Sequence, residues 1–234
     1  MNYLKIMKQL LEHYQSSLNY KHFYDILLTK IGSNSNEFIQ SQRFLYGYKK
    51  NNSLTDEILI SISREPSDLR IDVPVWFGDI LNSKNRIIVF GREPRDTDSL
   101  FNIEKIGTNV FATPFGIDRW NINSSVKRKV QNRYYRVFND LVSNENNFVI
   151  FSDVVKDYLD DSSALNNFFD KARKELSFLK KEIEFVKPTH IITLGDHSFR
   201  FIKEHFNNYK INRIRHPSRG GENEAKEQLS QLVF

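Results

Sequence analysis

Three nearly unbroken apolar runs mark the chain: RIIVFG at 86–91, FVIFSD at 148–153 and HIITLG at 190–195. A fourth, YKINRIRH at 209–216, alternates basic and apolar positions. The first three are too continuously apolar for hairpins with one wet face, and helix-length segments separate them. They predict parallel strands covered on both faces. Residues 164–186 put Leu165, Phe168, Phe169, Ala172, Leu176, Leu179, Ile183 and Val186 on one helical face, stopped by Lys187 and Pro188. After the third run, GDHSFRFIKEHF reads as a Gly turn and a helix, with Asp196 and Ser198 near its N-terminus. The pattern predicts an α/β fold, a three-layer α/β/α sandwich around a central, mainly parallel four-stranded sheet.

Upstream the period changes. Tyr3, Met7, Leu10, Leu11, Tyr14 and Leu18 recur at helical spacing, and Phe23, Leu27, Leu28 and Ile31 follow in a second helical stretch. GSNSNEF breaks this pattern, and EILISI at 57–62 is a short β-like run. The expected organisation is an N-terminal helical lobe over 1–50, packed on an α/β/α domain over 51–234.

In open parallel sheets, ligands bind outside the carboxyl ends of the strands. That directs attention to GREPRDTD, SDVVKD, GDHS and HPSRGG, which follow the four runs. In the first, Gly91 permits a tight turn or close ligand approach, Pro94 stiffens the loop, and Glu93 or Asp96 presents a carboxylate. A charged surface turn has the same letters: SISREPSD at 61–68 repeats Arg64, Glu65, Pro66 and Asp68 without the glycine.

Two further segments carry rings and charge. ATPFGIDRW at 112–120, with Phe111 just before it, offers Phe115 and Trp120 either to a nucleobase or to the core. SSVKRKVQNRYYRVF at 124–138 has a buried stripe of Val130, Tyr134, Phe138 and, beyond it, Leu141. Lys127, Arg128, Lys129, Arg133 and Arg136 are left for solvent or for phosphates. His197 and His205 have no metal-ligand spacing and read as surface or capping residues.

Composition narrows the classes. At 234 residues the chain suits one sizeable domain, and the 39% hydrophobic fraction, without a long Pro-, Gly- or Ser-rich stretch, suits a globular one. The absence of cysteine excludes disulfides, thiolate zinc sites and a cysteine-ligated iron–sulfur cluster. No metal or other cofactor is expected. The start, MNYLKIMKQLLEHY, lacks the apolar core of a signal peptide, and no run has the length of a membrane span. A cytoplasmic, monomeric protein is expected. A net charge of +5 favours an anionic partner such as nucleic acid.

The order of these motifs resembles the uracil-DNA glycosylase superfamily. That family's first motif is a strand followed by Gly-x-Asp-Pro or a variant, here Gly91-Arg92-Glu93-Pro94, and its last is a strand followed by His216-Pro217-Ser218. The resemblance runs from about residue 86 to 220 and includes the THIITLG strand before a helix. It implies hydrolysis of the bond between a base and deoxyribose after the nucleotide is flipped out of double- or single-stranded DNA. Glu93 falls at the carboxylate position and His216 at the histidine that hydrogen-bonds the departing base. Phe111 or Phe115 is the stacking ring, and Ser218 and Arg219 join Lys127, Arg128, Lys129 and Arg133 against the DNA.

Three departures bear on specificity. Glu93 is one methylene longer than the family's aspartate. Ser152 and Asp153 stand where the uracil enzymes read the base edge with asparagine, and an ionised carboxylate only accepts, which suits the exocyclic amine of a cytosine-like base. Arg219 and Gly220 replace an apolar wedge. The expected activity is a glycosylase for a non-canonical base, modified cytosine ahead of uracil, as in branches of the family that defend bacteria against phage DNA. Uracil repair, a catalytically silent DNA-binding protein on the same fold and a nucleotide-metabolising α/β enzyme are the alternatives.

Overall fold

In the computed structural model, residues 75–93, 136–155, 167–218 and 220–234 are described, with backbone alone for 75–77. The expected helical lobe over 1–50 and the EILISI run lie outside these residues. So do Phe111, Phe115 and the basic residues from Lys127 to Arg133.

The fold is α/β. Five strands, β1 (Val75–Phe77), β2 (Asn85–Gly91), β3 (Asn147–Asp153), β4 (His190–Leu194) and β5 (Ile211–Ile214), form one sheet in the order β1-β3-β2-β4-β5. β2, β3, β4 and β5 run parallel, as the apolar runs predict, whereas β1 pairs antiparallel with β3 and makes the sheet five-stranded rather than four-stranded. Every residue of β3 and β4 is buried, and so is β2 from Ile87 onward. These strands are covered on both faces, which their unbroken apolar letters require. β5 is the edge; only Ile214 in it is buried, which accounts for its alternating sequence.

Residues 164–186 do not form one helix. The chain makes α1 (Phe168–Lys174) and α2 (Leu176–Val186), divided at Glu175. Their apolar stripe nevertheless reaches the core through Phe168, Ala172, Leu179, Ile183 and Val186. Lys187 ends α2 in the left-handed region, at φ 48°. α3 (Asp196–His205) links β4 to β5, and α4 (Glu222–Ser230) follows β5.

Helices lie on both faces of the sheet. Strand side chains alternate between faces, and register puts Val89, Phe151 and Ile192 on one of them. Phe138, from a helical segment over 136–143, meets Phe151 edge-on at 5.1 Å between ring centroids. Arg136 of that segment holds Glu222 of α4 through both carboxylate oxygens, so these helices share a side. Arg213 of β5 points to the opposite face, where it pairs with Asp196 of α3. α1 joins α3 there through the Phe168 and Phe201 rings, 6.3 Å apart.

The amino ends of β2 and β3 are pinned by Asn147. Its buried amide donates to the Leu141 carbonyl at 3.0 Å and accepts from Asn85 at 2.9 Å. This fixes register at one edge of the sheet and therefore at the other.

Candidate functional site

The four parallel strands deliver their carboxyl ends to one edge. From β2 the chain goes to β3 on one side and then to β4 on the other, so the direction of winding reverses between β2 and β4. Such a reversal opens a crevice at the carboxyl ends. Gly91 and Glu93 lie at the end of β2, Ser152 and Asp153 at the end of β3, Gly195 at the end of β4 and His216 just beyond β5. β2 and β5 are two strand spacings apart, about 10 Å, with Gly195 between them. Apart from its two chain neighbours, no described residue has an atom within 4 Å of the place a Cβ would occupy on Gly195, so there is open space at this point. The residue's φ of 86° suits glycine.

Pairing between β2 and β3 persists past the strands. The Val154 N–H donates to the Gly91 carbonyl at 3.2 Å and the Val155 N–H to the Arg92 carbonyl at 3.1 Å. These bonds hold Glu93 in the sheet's frame. Gly91 leaves room for the Asp153 carboxylate, which lies across it and which a Cβ would displace. Ser152 and Asp153, both buried, are adjacent in a strand and face opposite sides of the sheet. Asp153 shares its face with Gly91, and Ser152 shares the α1–α3 face with Phe90 and Thr193.

The Glu93 side chain is fully buried, and the Arg92 guanidinium donates to its Oε1. Burial raises the Glu93 pKa above its ordinary value, while Arg92 and the Lys171 charge on α1 pull it back. The result is a carboxylate more basic than one in water, with cations at hand.

His216 is held by its own motif. The Ser218 backbone N–H donates to Nδ1 of His216 at 3.2 Å, and the Ser218 hydroxyl lies 2.7 Å from the same nitrogen. A backbone amide only donates, so Nδ1 accepts, and a neutral ring then carries its proton on Nε2. The two glycines that follow serve this turn. Gly220 has φ 82°, and a Cβ on Gly221 would collide with the His216 carbonyl.

Arg136 lies exposed, as its place on the helix predicts, and pairs there with Glu222. Asp196 and Ser198 lie in the first turn of α3, as predicted; neither side chain caps it, and Ser198 Oγ donates to the Leu194 carbonyl at 3.0 Å. His197 and His205 are ring-packed, His197 against Phe168 and Phe169 and His205 against Phe201. Asp96, Pro94 and Arg219 fall outside the described residues, and Ser218 is the one described member of the expected DNA-binding set. Among the described residues, no cluster of His, Asp and Glu is arranged to hold a metal ion, and no helix is long and apolar enough to cross a membrane.

Sequence reasoning passed over Lys171, whose helical letters give no sign that its charge acts on Glu93. No protein-family model matches the chain, and neither does any curated protein.

Proposed function

We propose that this protein is a DNA glycosylase, a three-layer α/β/α sandwich of the uracil-DNA glycosylase type, acting on a flipped non-canonical base. The observation that carries the reading is the convergence of a buried carboxylate, Glu93, and an Nδ1-anchored imidazole, His216, on the carboxyl edge of one parallel sheet.

In the proposed reaction the bond between the base and C1′ of deoxyribose breaks, and the electron pair leaves with the base. The sugar becomes cationic and oxocarbenium-like, and negative charge close to it lowers the barrier. Glu93 supplies that charge, and its raised pKa also suits it to accept a proton from the attacking water. His216 donates its Nε2 hydrogen to an oxygen of the departing base as charge grows there. Water adds at C1′ and an abasic site remains.

Asp153 is the proposed reader of the base edge. As an acceptor beside Gly91 it suits an exocyclic amine, which favours modified cytosine over uracil. A role against modified phage DNA follows from that preference.

The test is incubation with DNA carrying uracil, 5-hydroxymethylcytosine or glucosylated 5-hydroxymethylcytosine, followed by alkali. Strand breaks at the modified base are expected, with cytosine derivatives ahead of uracil. Binding without breaks on any of the three would reject hydrolysis of these bases.

A further inference from the structure

Phe169 and His197 have no part in the reaction just described, yet they lie beside its site. α3 begins directly after Gly195, at the carboxyl end of β4, and α1 packs on α3. His197, the second residue of α3, meets Phe168 at 5.8 Å and Phe169 at 6.0 Å between ring centroids. Lys171, one turn further along α1, is near enough for its charge to act on Glu93. The ring cluster therefore borders the crevice on its α1–α3 side.

Its members divide by exposure. Phe168 and Phe201 are each only 1% exposed and form the floor. Phe169 and His197 pack against Phe168 and remain partly exposed. The Lys171 side chain makes no hydrogen bond or ion pair with the described residues and is also partly exposed. Two partly exposed rings and a partly exposed cation thus stand near a buried carboxylate.

We infer that Phe169 and His197 form a stacking wall for a nucleobase, with Lys171 beside them to take the adjoining phosphate. This rests on the glycosylase reading for the identity of the ligand. The rings are too close to admit a base between them: two stacking intervals need about 6.8 Å, twice the ~3.4 Å rise of a stacked strand, and the centroids are 6.0 Å apart. The base lies over the exposed side of the pair. A sugar would need several polar partners for its hydroxyls, and this wall supplies rings and one cation.

The test uses the full chain and a short single-stranded oligonucleotide containing 2-aminopurine, whose fluorescence falls when it stacks. Wild-type protein should quench it. Phe169→Leu and His197→Ala should each weaken binding, on the order of 5- to 150-fold for loss of a base–ring stack, and reduce the quench. Phe169→Trp should restore both. Lys171→Gln should lower the salt dependence of binding by roughly one counterion. Circular dichroism melts show whether each variant is folded, and Phe169→Trp keeps the test decisive should the leucine variant unfold. Unchanged affinity and quench in folded Phe169→Leu and His197→Ala overturn the wall. Abasic-site formation on the modified substrates is followed in the same samples. Cleavage that ignores both ring substitutions sinks the wall and leaves the glycosylase; ring-dependent binding without cleavage keeps the wall and sinks the hydrolysis.

Discussion

Ser218 presents both its backbone N–H and its hydroxyl to Nδ1 of His216, at 3.2 and 2.7 Å. The ring is thereby oriented by the residue two places along the chain, with Nδ1 accepting and the proton of a neutral ring on Nε2. His216→Ala should lower turnover by on the order of 100- to 1000-fold, the cost of one preorganised donor, with DNA affinity nearly unchanged. Ser218→Ala keeps the backbone bond and should lose far less. Single-turnover rates beside equilibrium binding check both. Equal losses in rate and affinity would mean that His216 only binds.

Gly91 and Asp153 form a second such pair. Gly91→Ala places a methyl group where the Asp153 carboxylate lies, so that carboxylate must move. A stability loss of about 1–3 kcal/mol, typical of overpacking, should appear in urea melts. Gly91→Ala with Asp153→Ala should recover part of it. A double variant no more stable than Gly91→Ala would count against the clash.

Glu93 sets a pH dependence whose sign follows from its raised pKa. The folded state holds the proton more tightly than the unfolded chain. Its contribution to stability is therefore full below the unfolded value, about 4.3, and is lost as pH rises through the folded value. Glu93→Gln cannot ionise. The variant should gain stability relative to wild type as pH rises from about 4 toward neutrality, while turnover falls. Parallel melting curves across that range would contradict the raised pKa.

His190 acts in the opposite sense. Burial, followed by the Lys210 charge, lowers its pKa, and its ring lies edge-on to Phe234 at 5.2 Å. The unfolded chain takes up this proton first as pH falls below about 6.5, so stability present above that value is lost on acidification through the folded value. His190→Gln should flatten the decline in melting temperature between about pH 6.5 and 5. An NMR titration placing His190 at or above 6.5 would refute this.

Asn147 joins Leu141 and Asn85 from a buried position. Asn147→Leu leaves the Leu141 carbonyl without that donor and should cost about 1–3 kcal/mol, read in chemical denaturation. A change under half of that would show that neighbouring groups or water replace the amide.

The sequence by itself determined β2, β3 and β4, because burial on both faces demands unbroken apolar letters, and these are a local property. It also determined the places where Glu93, Asp153 and His216 end up, since in a parallel sheet the residue after each strand must reach the same edge. The division at Glu175 was not legible, because the apolar stripe keeps its period across α1 and α2. Nor was β1, whose three residues become a strand only by pairing with the free edge of β3.

Tertiary structure alone decided which groups face one another. Ser152 and Asp153 are neighbours in sequence and belong to opposite faces; Lys171 is far from Glu93 in sequence, yet its charge acts on that carboxyl. The glycines after His216 show the same limit: their necessity comes from a carbonyl and a φ angle. Packing and pairing between distant segments supply these relations, and no local pattern of residues encodes them.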